Sequence, residues 1–365
     1  MDQDLIYMLR ALELSKLGAS MTHPNPMVGA VIVKNSEIIG EGWHHGPGQP
    51  HAEVEALKAC SENPAGATMY VSLEPCNHWG KTPPCTKAII EAGIAEVKMA
   101  ARDCNCQVCG GGAEALIQAG IKVNQGLCEE EALELNRSFF HHCKTGLPWV
   151  IMKTATSLDG KITSSNGESQ WITGEPARRK VHQLRSEVGA VLIGSGTQQK
   201  DNPSLTNRML EPVYRQPAKI LLDSDLKLSL DSNLVNSNPE QLYVFCTAKA
   251  DENKEKSLKE LGVNIIKQDK AGRVDLPAVL EDLGSRNIRS VLVEGGAEVF
   301  AGFLQEDLVN EFYLFYAPFF IGGNQAKGVI GGAGVLALKD ARRLTIDSVS
   351  GEGEDILIHA YKEEA

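Results

Sequence analysis

Aromatic residues are scarce in this chain, at 5% of 365 positions, and positive charge is in deficit, 36 Lys and Arg against 47 Asp and Glu for a net charge of -11. A surface that grips nucleic acid or an anionic bilayer needs the opposite charge balance, and one that stacks bases needs more rings. Neither partner is expected. No run is apolar for long enough to span a bilayer, and Met1-Asp2-Gln3-Asp4 lacks the basic start of a signal peptide, so no membrane association and a cytoplasmic location are expected. No internal repeat or low-complexity segment is evident. Nine cysteines, an odd number without export signals, point to free thiols and metal ligands rather than a disulfide framework.

What is present concentrates between residues 51 and 85. His51-Ala52-Glu53 is followed by Pro75-Cys76 and then Cys85. One imidazole and two thiolates can hold Zn²⁺ while leaving a position for water, and a nearby carboxylate that is not a ligand can move that water's protons. The arrangement matches the H-x-E…P-C-x-x-C signature of zinc nucleobase deaminases, except that Asn77 to Pro84 stand between the cysteines where two residues are usual. Glycine and two prolines in that insert can fold it back so that Cys85 opens a helix, Thr86 to Ala92, stopped by Gly93. Glu53, Ala56, Leu57 and Cys60 repeat at helical spacing, which places His51 and Glu53 in a first turn.

At this length two domains are expected, divided at Gly146-Leu147-Pro148 into 1–146 and 147–365. In the first, a hairpin from Met27 to Gly40 turns at Asn35-Ser36. Strands Thr68–Leu73, Val97–Ala101 and Ile121–Asn124 alternate with helices, the last running from Glu129 to about His142, a three-layer α/β pattern. In the second, strands are expected from Trp149, Ala190, Lys219, Leu242, Val263, Ser290, Glu311 and Ile356, with helices at Glu175–Val188 behind a Thr173 cap, Lys254–Leu261 and from Ala297 to Leu304. The junction Glu294-Gly295-Gly296-Ala297 runs from strand to helix. Bare glycines there can admit a phosphate to backbone N–H groups at a helix N-terminus, although Gly-Gly between such elements is also an ordinary tight turn. It is not a Rossmann fingerprint, and Gly194-Ser195-Gly196 is not a P-loop.

Over essentially its full length the sequence resembles the bifunctional riboflavin-biosynthesis family, a pyrimidine deaminase fused to a pyrimidine reductase. The resemblance is carried by His23 to Gly29, His51-Ala52-Glu53, Leu73 to Cys76, Thr82 to Cys85, Ser157 to Lys161, Gly167 to Thr173 and Asp201-Asn202-Pro203. The long insert between the cysteines is that family's own form. The resemblance implies a cytidine-deaminase-like α/β/α domain followed by a dihydrofolate-reductase-like α/β domain. It implies zinc on His51, Cys76 and Cys85 with Glu53 as proton carrier, and deaminase substrate contacts at Asn25, His44 and Lys81. For the reductase it implies NADPH contacts at Ala155, Trp171, Thr197, Asp201, Ser224 and Gly296, and substrate contacts at Ser169, Arg185, Leu205, Arg208 and Glu294, with Lys153 near the reacting sugar. The substrate implied is a pyrimidine ribosyl phosphate, and an oligomer of identical chains is a reasonable expectation.

Three local readings stand beside the resemblance. Arg178, Arg179, Lys180 and Arg185 share one helix, which by pattern alone favours a solvated face for Arg185. Asp103-Cys104-Asn105-Cys106-Gln107-Val108-Cys109 carries cysteines where the family shows prolines, and these read as small apolar filler in preference to a second metal or redox site. His141-His142-Cys143 reads as surface. Two other functions share the zinc signature. A nucleic-acid-editing deaminase would require a basic groove, and a structural zinc protein would close its metal with a fourth side chain, for which His78 is the nearby candidate.

Overall fold

The computed structural model describes residues 2–80, 83–104 and 111–363. The chain divides into two compact units, Met1–Gly146 and Leu147–Ala365.

In the first unit, α1 (Gln3–Lys16) starts on Asp2, whose carboxylate accepts the Asp4 N–H. β1 (Gly29–Lys34) and β2 (Glu37–Trp43) form the hairpin, with Asn35 and Ser36 at φ 50° and 67°, the left-handed pair that suits a two-residue turn to strand twist. Then come α2 (Ala52–Lys58), β3 (Thr68–Leu73), α3 (Cys85–Glu91), β4 (Glu96–Ala101), α4 (Gly112–Gln118) and β5 (Lys122–Gln125). The sheet order is β2-β1-β3-β4-β5, antiparallel on both sides of β1 and parallel from β3 to β5. Successive side chains of a strand leave on opposite faces, and both faces are covered. Ala30 and Ile32 pack with Ala56, Ile89 and Leu116 from α2, α3 and α4, whereas Val31 and Val33 pack with Met8, Ala11 and Leu12 from α1.

The expected single helix from Glu129 to His142 is two helices, α5 (Glu129–Leu135) and α6 (Arg137–Thr145). Asn136 breaks them. Buried, at φ -109° and ψ 27°, it accepts the Met27 N–H on Oδ1 at 2.8 Å and donates from Nδ2 to the Met27 carbonyl at 2.9 Å. Such side-chain-to-backbone pairing competes with helix continuation. On α6, His141 and His142 are half-buried rather than on the surface, and burial lowers the pKa of His141.

The second unit contains β6 (Trp149–Ser157), α7 (Glu175–Glu187), β7 (Ala190–Gly194), α8 (Ser195–Asp201), β8 (Ala218–Leu222), α9 (Asn233–Asn236), β9 (Leu242–Cys246), α10 (Glu252–Glu260) and β10 (Asn264–Lys267). A ribbon of β11 (Asp269–Lys270) and β12 (Arg273–Val274) precedes α11 (Leu276–Ser285), β13 (Ser290–Gly295), α12 (Ala297–Gln305), β14 (Glu311–Ala317), β15 (Leu344–Glu352) and β16 (Asp355–Lys362). Its main sheet runs β10-β9-β8-β7-β13-β6-β14-β16-β15. It is parallel through β14 and antiparallel for the last two strands. The continuous apolar run Ala190–Ile193 is fully buried, with Leu192 in the core on one face and Val191 and Ile193 in the core on the other. A parallel sheet of this kind gathers its loops, and hence a ligand crevice, beyond the carboxyl ends of its strands.

The cap of α7 is Gly174, not Thr173. Gly174 N–H donates to Asp355 at 2.7 Å, and the Thr173 carbonyl accepts from Arg178. α8, α9, α11 and β15 had no sequence counterpart. β15 is exposed along nearly its whole length, so it lacks the alternation that marks a half-buried strand.

Candidate active sites

In the first unit the loop after β2 delivers His51 to the residue preceding α2, and β3 and α3 deliver the two cysteines. Nδ1 of His51 lies 3.1 Å from Cys85 Sγ and 3.4 Å from Cys76 Sγ, and the two sulfurs are 3.4 Å apart. Donor atoms that share one tetrahedral zinc, with its usual bond lengths, stand about 3.5–3.8 Å from one another, so this set fits the ion with a slight expansion. Among the described residues these three form the single cluster of metal-ligating groups, and His78 is not part of it. The closed four-ligand site therefore has no fourth side chain from His78. A soft N/S₂ donor set suits zinc and argues against a hard cation such as Mg²⁺.

Glu53, in the first turn of α2, is 3% exposed, and its pKa is raised to about 7 by burial first and by the Cys76 thiolate second. Cys76 is held well below the ordinary thiol range by the hydrogen bond from Cys85 and by His51, against the opposing effect of burial. Asn25 and His44 are joined. His44 Nδ1 faces the Pro50 carbonyl at 3.2 Å and so carries its hydrogen there, leaving Nε2 to accept from Asn25 Nδ2 at 3.0 Å. The His44 ring is also edge-on to His51 at 5.2 Å. Lys81 lies outside the described residues, as do Cys106 and Cys109. Cys104 is half-buried, and burial first, then a contact with Cys143, raises its pKa.

In the second unit a single cleft of about 1680 Å³ is lined by Lys153, Ala155, Ser169, Trp171, Arg185, Thr197, Asp201, Leu205, Arg208, Ser224, Glu294 and Gly296, every reductase position named above. That volume exceeds the roughly 300–1,000 Å³ typical of one drug-sized ligand and leaves room for two. The ends of β6, β7, β8 and β13 supply its floor. Gly296 has φ 89°, and a Cβ on Gly295 would stand 3.0 Å from Thr197 Oγ1, so side chains are excluded where α12 presents its free N–H groups. That cradle fits a pyrophosphate. Ser169 donates to Asp201 at 3.2 Å, and the Arg178 guanidinium lies 4.8 Å over the exposed Trp171 ring.

Arg185 is not on a solvated face. It is paired through two contacts with Glu294, Nε to Oε1 at 2.5 Å and Nη2 to Oε2 at 2.8 Å, and Nη1 donates to the Thr206 carbonyl at 3.1 Å. The two side chains are only 12% and 8% exposed. Burial alone would raise Glu294, yet the Arg185 charge outweighs it and holds the carboxylate below its usual range. Burial lowers the pKa of Lys153, with Glu294 opposing and Arg185 adding to the shift. Sequence reasoning missed His182, Arg178, Lys327 and Gly331 among the lining residues. For His182 a signal existed, since it precedes Arg185 by three positions and so shares its helix face.

A donor cluster of deaminase type and a cleft with room for two ligands at the carboxyl ends of a parallel sheet are the sites expected of a deaminase joined to a reductase. Residues 1–101 match the cytidine and deoxycytidylate deaminase zinc-binding region, and residues 148–358 match the RibD C-terminal domain. The riboflavin biosynthesis protein RibD of Actinobacillus pleuropneumoniae is 44% identical over 97% of this chain and 94% of its own length, and that of Escherichia coli is 40% identical over 98% and 99%. Acinetobacter baumannii RibD superposes with a TM-score of 0.91 at 37% identity, covering 99% of both chains. A Thermotoga maritima diaminohydroxyphosphoribosylaminopyrimidine deaminase/5-amino-6-(5-phosphoribosylamino)uracil reductase gives 0.87 at 36%, again over 99% of both. The chain belongs to the RibD family of riboflavin biosynthesis.

Proposed function

We propose that residues 1–146 deaminate the diaminopyrimidine ribosyl phosphate and that residues 147–365 reduce the ribosyl side chain of the product to ribityl. The arrangement that carries this reading is Glu53 buried beside three converging zinc ligands, His51, Cys76 and Cys85. A zinc ion held there would lower the pKa of a water toward neutrality and supply a nucleophile at working pH. Glu53 takes one proton from the attacking water and delivers it to the ring nitrogen, then takes the proton of the newly added hydroxyl and delivers it to the amino group, which departs as ammonia while the ring carbonyl forms. Its burial beside the three converging side chains, in reach of a water on a metal they hold, suits both halves of that transfer. Asn25 reads the pyrimidine edge, oriented through its bond to His44, and Lys81 neutralises the phosphate.

Bound in the reductase cleft, NADPH would supply the hydride that reduces the opened ribose. The Gly296 loop and Thr197 receive the pyrophosphate, and Ala155, Trp171, Asp201 and Ser224 complete the coenzyme wall. Ser169, Arg185, Leu205, Arg208 and Glu294 hold the substrate, and Lys153 stands beside the reacting sugar, where Glu294 opposes the loss of its proton that burial favours. The Arg185–Glu294 pair holds both side chains in one geometry, which limits the rotamer freedom that binding would have to remove.

Glu53→Gln tests the deaminase half. Ammonia release from the diaminopyrimidine ribosyl phosphate should fall by about 10²- to 10⁴-fold, while zinc content stays at one per chain and NADPH oxidation on the deaminated substrate is unchanged. Unaltered ammonia release would refute the role of Glu53.

We also propose that the chain forms a homo-oligomer in the cytoplasm. β15 is the outer strand of its sheet, and Ile346 and Val349 on it are 60% and 62% exposed, an open edge that a second copy can cover. No helix among the described residues is long and apolar enough to cross a membrane. Light scattering on the purified chain tests the assembly, and Ile346→Asp should shift it toward monomer.

A further inference from the structure

His182 has no role in the reading above, yet it reaches the reductase cleft from α7 and is only 5% exposed. The backbone N–H of Arg208 donates to its Nδ1 at 3.3 Å. A ring nitrogen that accepts a hydrogen bond carries no hydrogen of its own, so the neutral ring bears its proton on Nε2. Burial first, and then the neighbouring charges of Arg185 and Arg208, bring the pKa down to about 4, so the ring is neutral near pH 7. Nε2–H makes no hydrogen bond to any described residue.

The surroundings indicate which ligand atom this donor meets. Arg185 directs its guanidinium into Glu294 and the Thr206 carbonyl, so its charge is largely neutralised in place. Arg208 is exposed in the wall of the cleft, and it is the backbone of this residue that the His182 ring holds. Lys153 reaches the same cleft from β6. The Glu294 carboxylate opposes these charges at the ring but is outweighed by Arg185 and Arg208, and a neutral donor in such a field favours an anionic oxygen over an uncharged one. Two such oxygens can enter this cleft, the phosphate of the substrate and the 2′-phosphate of the coenzyme. Arg208 is among the residues assigned to the substrate, and the contact through its backbone puts His182 at that end.

We propose that His182 is a substrate-binding residue of the reductase, its Nε2–H donating to a phosphate oxygen of the pyrimidine ribosyl phosphate while its Nδ1 steadies the Arg208 segment. The inference rests on the reading of this cleft as the reductase site.

His182→Asn separates the two ring nitrogens, because the new amide oxygen can take the Nδ1 place and accept the Arg208 N–H while nothing replaces Nε2–H. Reductase kinetics are measured with the phosphorylated substrate and with its dephosphorylated counterpart, at saturating NADPH and again with NADH. The expected result is a KM for the phosphorylated substrate raised ~10- to 30-fold, the loss of one charge-assisted hydrogen bond, with kcat within about threefold of wild type. The KM for the dephosphorylated compound should move less than about twofold, and the melting temperature should stay near wild type. His182→Gln, which can return an N–H to the Nε2 position, should recover part of the loss and keeps the test alive if the Asn variant does not fold.

An equal rise for both substrates would overturn the phosphate assignment, and a KM shift confined to NADPH against NADH would move the contact to the coenzyme. Unchanged kinetics in both variants would leave His182 a structural residue and end the proposal. A wild-type chain unable to reduce the phosphorylated substrate would instead refute the reductase reading itself.

Discussion

The proposed zinc ligands of the first unit fall between residues 51 and 85, whereas the cleft of the second draws its named residues from Lys153 to Gly296, across four strand ends and the helices between them. The first site is local because a cation demands only three donors of set chemistry at set distances, and two short motifs can supply them. The second must match the outline of two large ligands, so no short segment can build it. Composition follows the same division. Soft ligands and a buried acid carry the first site, and a buried ion pair, glycine turns and strand ends carry the second.

Metal removal should give the widest separation between the two. Dialysis against a strong chelator is expected to abolish ammonia release while NADPH oxidation on the deaminated substrate stays within about twofold, and zinc should restore the lost half. Loss of both activities together would contradict the assignment of one centre to each unit. Glu294→Gln should be next in size. It leaves the Arg185 guanidinium buried without its carboxylate, a change worth about 3–5 kcal/mol, visible as earlier unfolding in urea together with loss of reductase turnover. Deaminase activity below that transition should be untouched.

Gly296→Ala is expected to be milder. At φ 89° and ψ 136° an L side chain is strained by about 1–3 kcal/mol, and the bared N–H groups lose their approach to the coenzyme, so KM for NADPH should rise ~10-fold with zinc content and ammonia release unchanged. The smallest effect concerns His359, between Glu311 at 2.7 Å and Asp347 at 2.8 Å. Burial would lower its pKa, but the two carboxylates prevail and raise it above 6.5. A raised folded pKa contributes stability that is complete below 6.5 and is lost as pH climbs through the folded value. Thermal melts should therefore show the second unit weakening as pH rises above 6.5, with that slope reduced in His359→Gln.

The sequence was most legible where periodicity and chemistry coincide. The Asn35-Ser36 turn, the Thr68–Leu73 strand and the Gly93 stop all follow from neighbours a few residues away, and two short motifs mark His51, Cys76 and Cys85, which the fold brings together. The break at Asn136 did not, because its cause is Met27, far away in the chain but adjacent in the fold. Thr173 failed as a cap for a similar reason, since Asp355 satisfies the N-terminus of α7 from the far end of the unit. β15 was invisible because an exposed edge strand has no buried face to impose alternation.

Sequence by itself pointed to the convergent His51, Cys76 and Cys85, to Glu53 beside them, to the two-unit organisation and to the family, because each is written in residue type at short spacing or along the whole chain. Tertiary structure alone decided that Arg185 is buried against Glu294 when its helix reads as solvated, that His182 keeps its proton on Nε2, and that twelve scattered positions share one cleft. Burial and long-range pairing set the charge state and orientation of those groups, and both arise only once the sheet has brought distant strand ends together.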